Sequence, residues 1–520
     1  MKILFDTNSI SIQLYWQLFQ KIKSKKKIQS AFSVSDKNIY KKFLKKNDKF
    51  DSENKNNLFE WEINKLAKSK NYDLGYLQNL EKKFDNACLI NSLLADRRLI
   101  YSEKMKFIQD YKLENDHDFL LSYLYNACTE IEKQLDNFKP RMILAFNFVN
   151  TISYLYYLFS KIKNIKYYQL KLTRIENFVS FHDNPLTFPS KLEMKFKENL
   201  NNDLSEISKE EKKILYNFIN KAQNNQLTYE GSILLENNFN KKNLEKTNTK
   251  SSNFISCIDL AKKNNLEKLR EFFFLYKNEK GYPSSLKFLI YNKIIKPFKR
   301  RINNQYFNKL KNIDNKFQYA FFPLNTEPEV ALLVYGKHFK NQIETIRNIS
   351  TNLPIGFKLI VKEHPNAIGF RSSNYYKKIL NIPNVVLMGP NEKASDIIKL
   401  SKIVFVTYGT IGLETIIKKK PLINFSKYPY GLFPKTMVDF TESFEDLKLK
   451  IVNLLENYVY QEKYLLSYIS SIVNTSFRLN LSTQLLGKTG RTNFGKSGLD
   501  DQYEILSDEI IKKYNSEIND

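Results

Sequence analysis

Short apolar runs and stretches of helical spacing alternate twice along this chain, once near its start and again, more regularly, from Tyr319 onward. The first block opens with Lys2–Phe5, an apolar run that ends at Asp6-Thr7-Asn8-Ser9. A buried strand followed by small polar residues predicts a strand feeding a helix N-terminus. Charged helical sequence is expected from Ile10 to Leu135, with the polar, Lys-rich stretch Ser35–Asn57 as a loop or exposed insertion. Lys139-Pro140 then punctuates before a strand at Met142–Phe146, a helix at Thr151–Lys163 and a strand at Ile165–Leu172. The second block predicts strands at Tyr319–Pro323, Phe357–Val361, Val385–Met388, Ile403–Val406 and Leu422–Phe425. Helices at Gln342–Leu353, Asn374–Leu380, Ala394–Leu400 and Ile411–Lys418 alternate with them. Such alternation implies an α/β fold with parallel sheets, whose ligands bind beyond the C-terminal ends of the strands. Between the blocks, Pro189–Asn312 reads as helical and Lys-rich, with Asn240–Ser252 as a flexible connector. After the second block, Phe444–Ile472 reads as helical and Thr483–Asp501 as loosely ordered.

Composition bounds the function without naming it. A length of 520 residues suggests two or three domains, and 42% hydrophobic residues exclude a disordered chain. The net charge of +27 comes mostly from Lys dispersed along the chain. Dispersed Lys reads mainly as solvated surface, with attraction to anions as the functional alternative. No arginine-rich arm, zinc-finger spacing or RNP-type aromatic motif accompanies it, so no nucleic-acid partner is expected. Cys88, Cys128 and Cys257 are far apart and odd in number. They predict neither a disulfide framework nor a structural zinc site, and fit a reducing cytoplasm. Met1–Asp6 lacks the apolar core of a signal peptide. The uncharged run Met142–Phe159 carries Asn147, Asn150, Thr151 and Ser153, and reads as strand, turn and helix rather than a membrane span. Tyr291–Lys311 mixes seven Lys and Arg with apolar residues. It reads either as a basic helix on an anionic membrane surface or as an ordinary helix interrupted by Pro297.

Three segments fall where the second α/β block would place a site. Lys362-Glu363-His364-Pro365 directly follows a predicted strand, so His364 would project into the ligand crevice and Pro365 would end the ladder. A His there can donate to a phosphate oxygen, and a protonated ring would add charge. Thr407-Tyr408-Gly409-Thr410-Ile411-Gly412-Leu413-Glu414 opens a helix after another strand. Free backbone N–H groups at that helix start favour an anion, Gly409 admits close approach, and Thr410 can cap or donate. Glu414, one turn in, is placed to accept ribose hydroxyls. The third segment, Phe321–Glu329, sets Asn325, Glu327 and Glu329 beside the expected cleft.

Together with Gln342, Ala394–Ser401 and Lys420-Pro421, these segments resemble the bacterial capsule polysaccharide biosynthesis proteins, a group that includes Kdo transferases. The resemblance covers roughly Tyr319 to Tyr430, and its most specific part is the spacing of His-Pro to Gly-Thr-x-Gly-x-Glu. Lys139–Asn147 and Arg174-Ile175-Glu176 are compatible with it but less specific. Asn325 stands where family members often carry a His. The resemblance implies a GT-B-like fold, two Rossmann-like domains facing across a cleft, with a helical insertion and C-terminal helices. The expected divisions are 1–190 (acceptor side), 191–315 (helical Lys-rich insertion), 316–455 (nucleotide-sugar side) and 456–520 (C-terminal helices and tail). It further implies a glycosyltransferase moving a sugar from a nucleotide-sugar, such as CMP-Kdo, to a capsule or lipopolysaccharide-type glycan. His364 and Thr410 would then contact the donor phosphate and Glu414 the ribose. No metal and no cofactor are expected. Asp6, Glu176 and Asp183, each after a strand or in the loop beyond one, are the candidate bases, with His182 beside Asp183. Two other functions suit the same scaffold: a polyol-phosphate transferase of the teichoic-acid type or a nucleotide-sugar epimerase. A non-catalytic basic component at the inner membrane face is the third alternative.

Overall fold

The computed structural model describes residues 1–7, 11–101, 115–146, 148, 150–202, 208–232, 295–327, 329–495 and 497–517. The expected connector Asn240–Ser252 lies outside these residues, as do Cys257 and the first part of Tyr291–Lys311.

Two sheets organise the chain. The N-terminal sheet orders its strands β13-β6-β5-β4-β1-β2-β3. They span Lys2–Thr7 (β1), Gln29–Val34 (β2), Leu58–Phe59 (β3), Met142–Ala145 (β4), Lys166–Leu172 (β5), Phe178–His182 (β6) and Phe477–Arg478 (β13). β1 to β5 are parallel, while β6 turns back antiparallel on β5 and β13 antiparallel on β6. The C-terminal sheet is wholly parallel, in the order β12-β11-β10-β7-β8-β9. Its strands are Gln318–Pro323 (β7), Phe357–Lys362 (β8), Val385–Met388 (β9), Ile403–Val406 (β10), Leu422–Asn424 (β11) and Val438–Phe440 (β12).

Each sheet is covered on both faces, so its strands are near-continuous in apolar residues. Alternation along a strand divides the residues between two cores. Ile3 and Phe5 enter one core and Leu4 the opposite one. In β7, Tyr319 and Phe321 face one side, and Ala320 and Phe322 the other. These are two Rossmann-like α/β units, as the sequence pattern implied.

The structure departs from the sequence reading in three places. Gln29–Val34 and Leu58–Phe59 are strands of the first sheet, inside the stretch expected to be helical. Ser35–Asn57 is not an exposed insertion: it forms the helices Lys37–Leu44 and Phe50–Glu53. Their Tyr40, Phe43 and Phe50 are buried against Trp16 and Phe32, which is why the Lys-rich segment is anchored. Thr483–Asp501 is also tied down. Glu230, fully buried, accepts the backbone N–H groups of Ser482 and Thr483 at 3.1 and 2.7 Å. The last helix, Leu499–Ser516, then packs on Ile12–Lys25, with Lys21 and Lys25 paired to Asp500, Glu504 and Asp508. The last described helix therefore belongs with the N-terminal unit.

Candidate active site

In the C-terminal sheet, β7 is the first strand in sequence, and the chain builds outward from it in both directions. β8 lies on one side and β10 on the other. Loops leaving β7 and β10 diverge, so a crevice opens beyond their C-terminal ends. β7 therefore stands between the strands that lead to His364 and to Gly409.

Gly409 precedes the helix Thr410–Ile417 and supports its first turn with backbone rather than side chain. Its φ of +140° is one that L side chains rarely adopt, although a Cβ would meet nothing within 4 Å. Among the described residues no side chain caps this helix, which leaves N–H groups of its first turn open to a ligand. Gly412 is needed for a different reason: a Cβ there would fall 2.1 Å from the Tyr430 ring. Tyr430 in turn donates its hydroxyl to the carbonyl of Gly409 and fixes the turn. Thr407 is buried and its Oγ1 has no partner among the described residues. Burial pushes the Glu414 carboxyl up to about 7, against a smaller opposing effect of Lys418.

The His-Pro segment divides into a buried anchor and one outward group. Lys362 donates its ammonium to the carbonyls of Glu363 and Pro390, at 3.2 and 3.3 Å, and burial lowers it to about 8. Glu363 is fully buried, ion-paired to Arg371, and accepts Tyr376 Oη–H at 2.6 Å. These two residues, expected at the donor phosphate, face inward because β8 ends inside the sheet. His364 is half-buried. Its Nδ1 accepts the Asn366 N–H at 3.2 Å and lies 3.2 Å from Thr326 Oγ1. Nδ1 is therefore an acceptor, which leaves the proton on Nε2. Burial depresses the ring to about 4 despite the neighbouring Glu363, so it is neutral at pH 7. The added charge expected of a protonated His364 is absent; the ring is a neutral donor.

Arg371 was not expected. It is 0% exposed and joins the loops after β7 and β8, pairing with Glu363, donating to the carbonyl of Asn325, and standing 3.8 Å from Glu327. Glu327 also accepts from Gln342 and from Tyr375 Oη–H, the latter at 3.0 Å. Asn325 and Glu327 thus shape the cleft wall from within. Glu329 faces the other domain: burial raises its carboxyl, opposed first by Arg174 and then by Arg97.

Across the cleft, the three candidate bases stand in different settings. Asp6, the penultimate residue of β1, stands opposite Ala145 of β4, at the point where the strand order of the N-terminal sheet reverses. It is 4% exposed, its Oδ2 has no partner among the described residues, and burial raises it to about 7. Glu176 sits in the turn between β5 and β6 and is paired to Arg478 at 2.9 Å. Asp183 accepts the N–H groups of Asn184 and Ser190 at 3.0 Å each. Glu176 and Asp183 are engaged in holding turns; Asp6 is not.

A cavity of 380 Å³ opens between the two domains. Tyr408 and Thr410 line it from the C-terminal side, and Lys171, Arg174 and His182 from the N-terminal side. The Tyr335 and Tyr408 rings stack at 4.3 Å and 7°. Lys171 Nζ donates to Tyr335 Oη at 2.9 Å and lies 4.2 Å from the Tyr428 ring centroid. Tyr335 Oη–H donates to the carbonyl of Pro185 at 3.1 Å, which ties this cluster across the cleft.

The loops after β7, β8 and β10 all fall inside one sequence match. Residues 250–433 match the family of capsule polysaccharide biosynthesis proteins. The match holds the whole crevice wall from Asn325 to Tyr430. No curated protein matches the chain. Among solved structures, KpsC β Kdo 2,7 transferase of Thermosulfurimonas dismutans is similar at 11% identity, over 66% of this chain and 80% of that one, with TM-score 0.31. UDP-GlcNAc 2-epimerase of Neisseria meningitidis, bound to UDP-GlcNAc, is similar at 13% identity, over 98% and 100%, with TM-score 0.28. A glycosyltransferase of Rickettsia africae is similar at 10% identity, over 91% and 93%, with TM-score 0.26.

Proposed function

We propose that this chain is a glycosyltransferase of surface-glycan synthesis, taking a sugar from a nucleotide-sugar donor held by its C-terminal domain. The observation that carries the proposal is the uncapped start of the helix Thr410–Ile417 at the crevice between β7 and β10, within the matched segment. Breaking a sugar–phosphate bond builds negative charge on the leaving nucleotide. Fixed N–H donors at a helix start favour that charge, and the neutral Nε2–H of His364, on the far side of β7, is assigned to the same ligand. Glu414 is assigned to the ribose. Asp6 is assigned to the acceptor proton: its unpartnered oxygen and its position at the other sheet's switch point set it apart from Glu176 and Asp183.

Contact with the inner membrane face belongs to the same proposal. Among the described residues no helix is long and apolar enough to cross a membrane. The described part of the basic segment is a helix at Lys296–Asn303, with Phe298 66% exposed beside Arg300 and Arg301.

The decisive experiment is a donor screen read by released nucleotide, with CMP, UDP and GDP binding to wild type and to His364→Ala measured alongside. Unchanged binding profiles in a folded His364→Ala protein would remove the donor-site assignment. A transferred phosphopolyol, or an epimerised free donor, would replace the glycosyltransferase reading.

A further inference from the structure

The cavity between the domains holds a charge imbalance that the donor site described so far does not use. Its lining carries five basic side chains, Lys171, Arg174, Lys191, Lys512 and Lys513, against one acid, Glu509. Lys513 is paired with Glu517. Lys171 and Arg174 are different: among the described residues neither forms an ion pair, and burial first, then the nearby Arg174, lowers the pKa of Lys171. Glu329 is the acid that bears on Arg174, from beyond ion-pair distance.

The protein invests in holding these two cations in place. Arg174 has φ of +66°, a left-handed backbone that a non-glycine residue adopts at a cost. Its guanidinium lies 5.4 Å from the Tyr408 ring, one residue before Gly409. Lys171 is fixed by Tyr335 Oη and the Tyr428 ring. A third group completes the set. His182 is 4% exposed and lines the same cavity, with Nε2 3.0 Å from Ser180 Oγ and Nδ1 without a partner among the described residues. With Ser180 donating to Nε2, Nδ1–H is a further unused donor. Two basic side chains without an ion-pair partner and an orphaned ring nitrogen in one desolvated cavity form a set that an anion would complete. On the facing wall are Thr410 and the open helix start.

We propose that Lys171 and Arg174, with His182, are the second half of the phosphate site. The N-terminal domain grips from across the cleft the same phosphate group that the helix Thr410–Ile417 holds. This rests on the donor reading for the identity of the ligand and adds to it the side of the molecule that sequence reasoning had reserved for the acceptor. It also couples the two domains, since a phosphate bound by both favours the closed cleft. A ligand lacking phosphate would not draw them together.

The test is binding by calorimetry to the full chain. CMP, UDP, inorganic pyrophosphate and the matching nucleosides are titrated into wild type, Arg174→Gly and Lys171→Met. Glycine suits the left-handed backbone at this position, so Arg174→Gly should unfold at a temperature no lower than wild type and still lose the guanidinium. The expected result is a nucleotide Kd at least tenfold weaker in Arg174→Gly and several-fold weaker in Lys171→Met, with nucleoside affinity unchanged. Nucleotide binding to wild type that stays within twofold in both variants would overturn the clamp and leave the donor reading standing. Wild type that binds no nucleotide but binds pyrophosphate, with that binding lost in Arg174→Gly, would support the clamp while the donor reading fails. Binding of neither would overturn both.

Discussion

Replacing Asp6 with Asn tests whether this carboxyl is held under strain for a purpose. Asp6 is 4% exposed, and burial raises its pKa from 3.8 in the unfolded chain to about 7 in the folded one. Between those values the folded state binds the proton more tightly than the unfolded state. Stability from this group is therefore fully present below pH 3.8 and is lost as pH rises through about 7. At pH 5 the proton still contributes roughly 3 kcal/mol, and at pH 8 almost nothing. Asn cannot titrate. Any cost of burying its amide is the same at both pH values and cancels in the comparison. The stability of Asp6→Asn relative to wild type should therefore rise by about 3 kcal/mol from pH 5 to pH 8. Urea unfolding followed by tryptophan fluorescence reads this directly, because the two tryptophans, Trp16 and Trp61, both lie in the N-terminal domain. The same variant should abolish transfer while leaving nucleotide binding intact, and wild-type kcat/KM should rise through pH 7 as Asp6 ionises. A stability gap that stays constant within about 0.5 kcal/mol across this range would show that Asp6 ionises without penalty, and the reasoning would fail.

Four further outcomes follow from the C-terminal domain. Gly409→Ala forces φ of +140° on an L residue, and should cost on the order of 1–2 kcal/mol in the domain's unfolding free energy and weaken nucleotide binding; unchanged values in both would contradict the backbone argument. Arg371→Met leaves Glu363 buried without its partner and should destabilise by about 3–5 kcal/mol, with Arg371→Met/Glu363→Gln recovering much of the loss. Additive effects in that cycle would deny the coupling. In an NMR titration of the four His, the His364 signal should stay flat from pH 5.5 to 8 and move only near 4; a midpoint close to 6.5 would restore a charged ring. Phe298→Ser should reduce flotation with anionic vesicles, and equal flotation would remove the membrane contact from the proposal.

What could be read in advance follows the range of its physical cause. Strand–helix alternation after Tyr319 is a local signal, and each strand expected there is present in the parallel sheet. The start of the helix after β10 was legible to within one residue: Thr410, expected to cap a helix from Ile411, is instead its first residue, with Gly409 at the cap position and no side-chain cap. β2 and β3 were not legible: Gln29–Val34 is buried along most of its length, and burial on both faces erases the alternation that marks a strand. Arg371 was missed for another reason. It follows His364 by seven positions in a loop without period, and only the folded chain brings it to Glu363, Asn325 and Glu327.

The inward turn of Lys362 and Glu363 carries the same lesson to the site. A charged run at a strand end looks like ligand chemistry in sequence, since charged side chains are seldom fully buried. Here one acid and one distant Arg satisfy each other, and the run becomes the fixture that orients a single neutral His. Groups with unsatisfied charge or lone pairs stand elsewhere, among them Asp6, Lys171, Arg174 and His182 on the N-terminal domain and Thr407 on the C-terminal one. Of these, Asp6 alone was singled out beforehand as a candidate base from its place after a strand; His182 entered only as the neighbour of Asp183. Lys171 and Arg174 gain meaning from the domain across the cleft, through Tyr335, Tyr408 and Tyr428. A site built between two domains is therefore half visible from either one. Its missing half is best sought among buried polar groups that lack a partner, rather than among the charges that a motif displays.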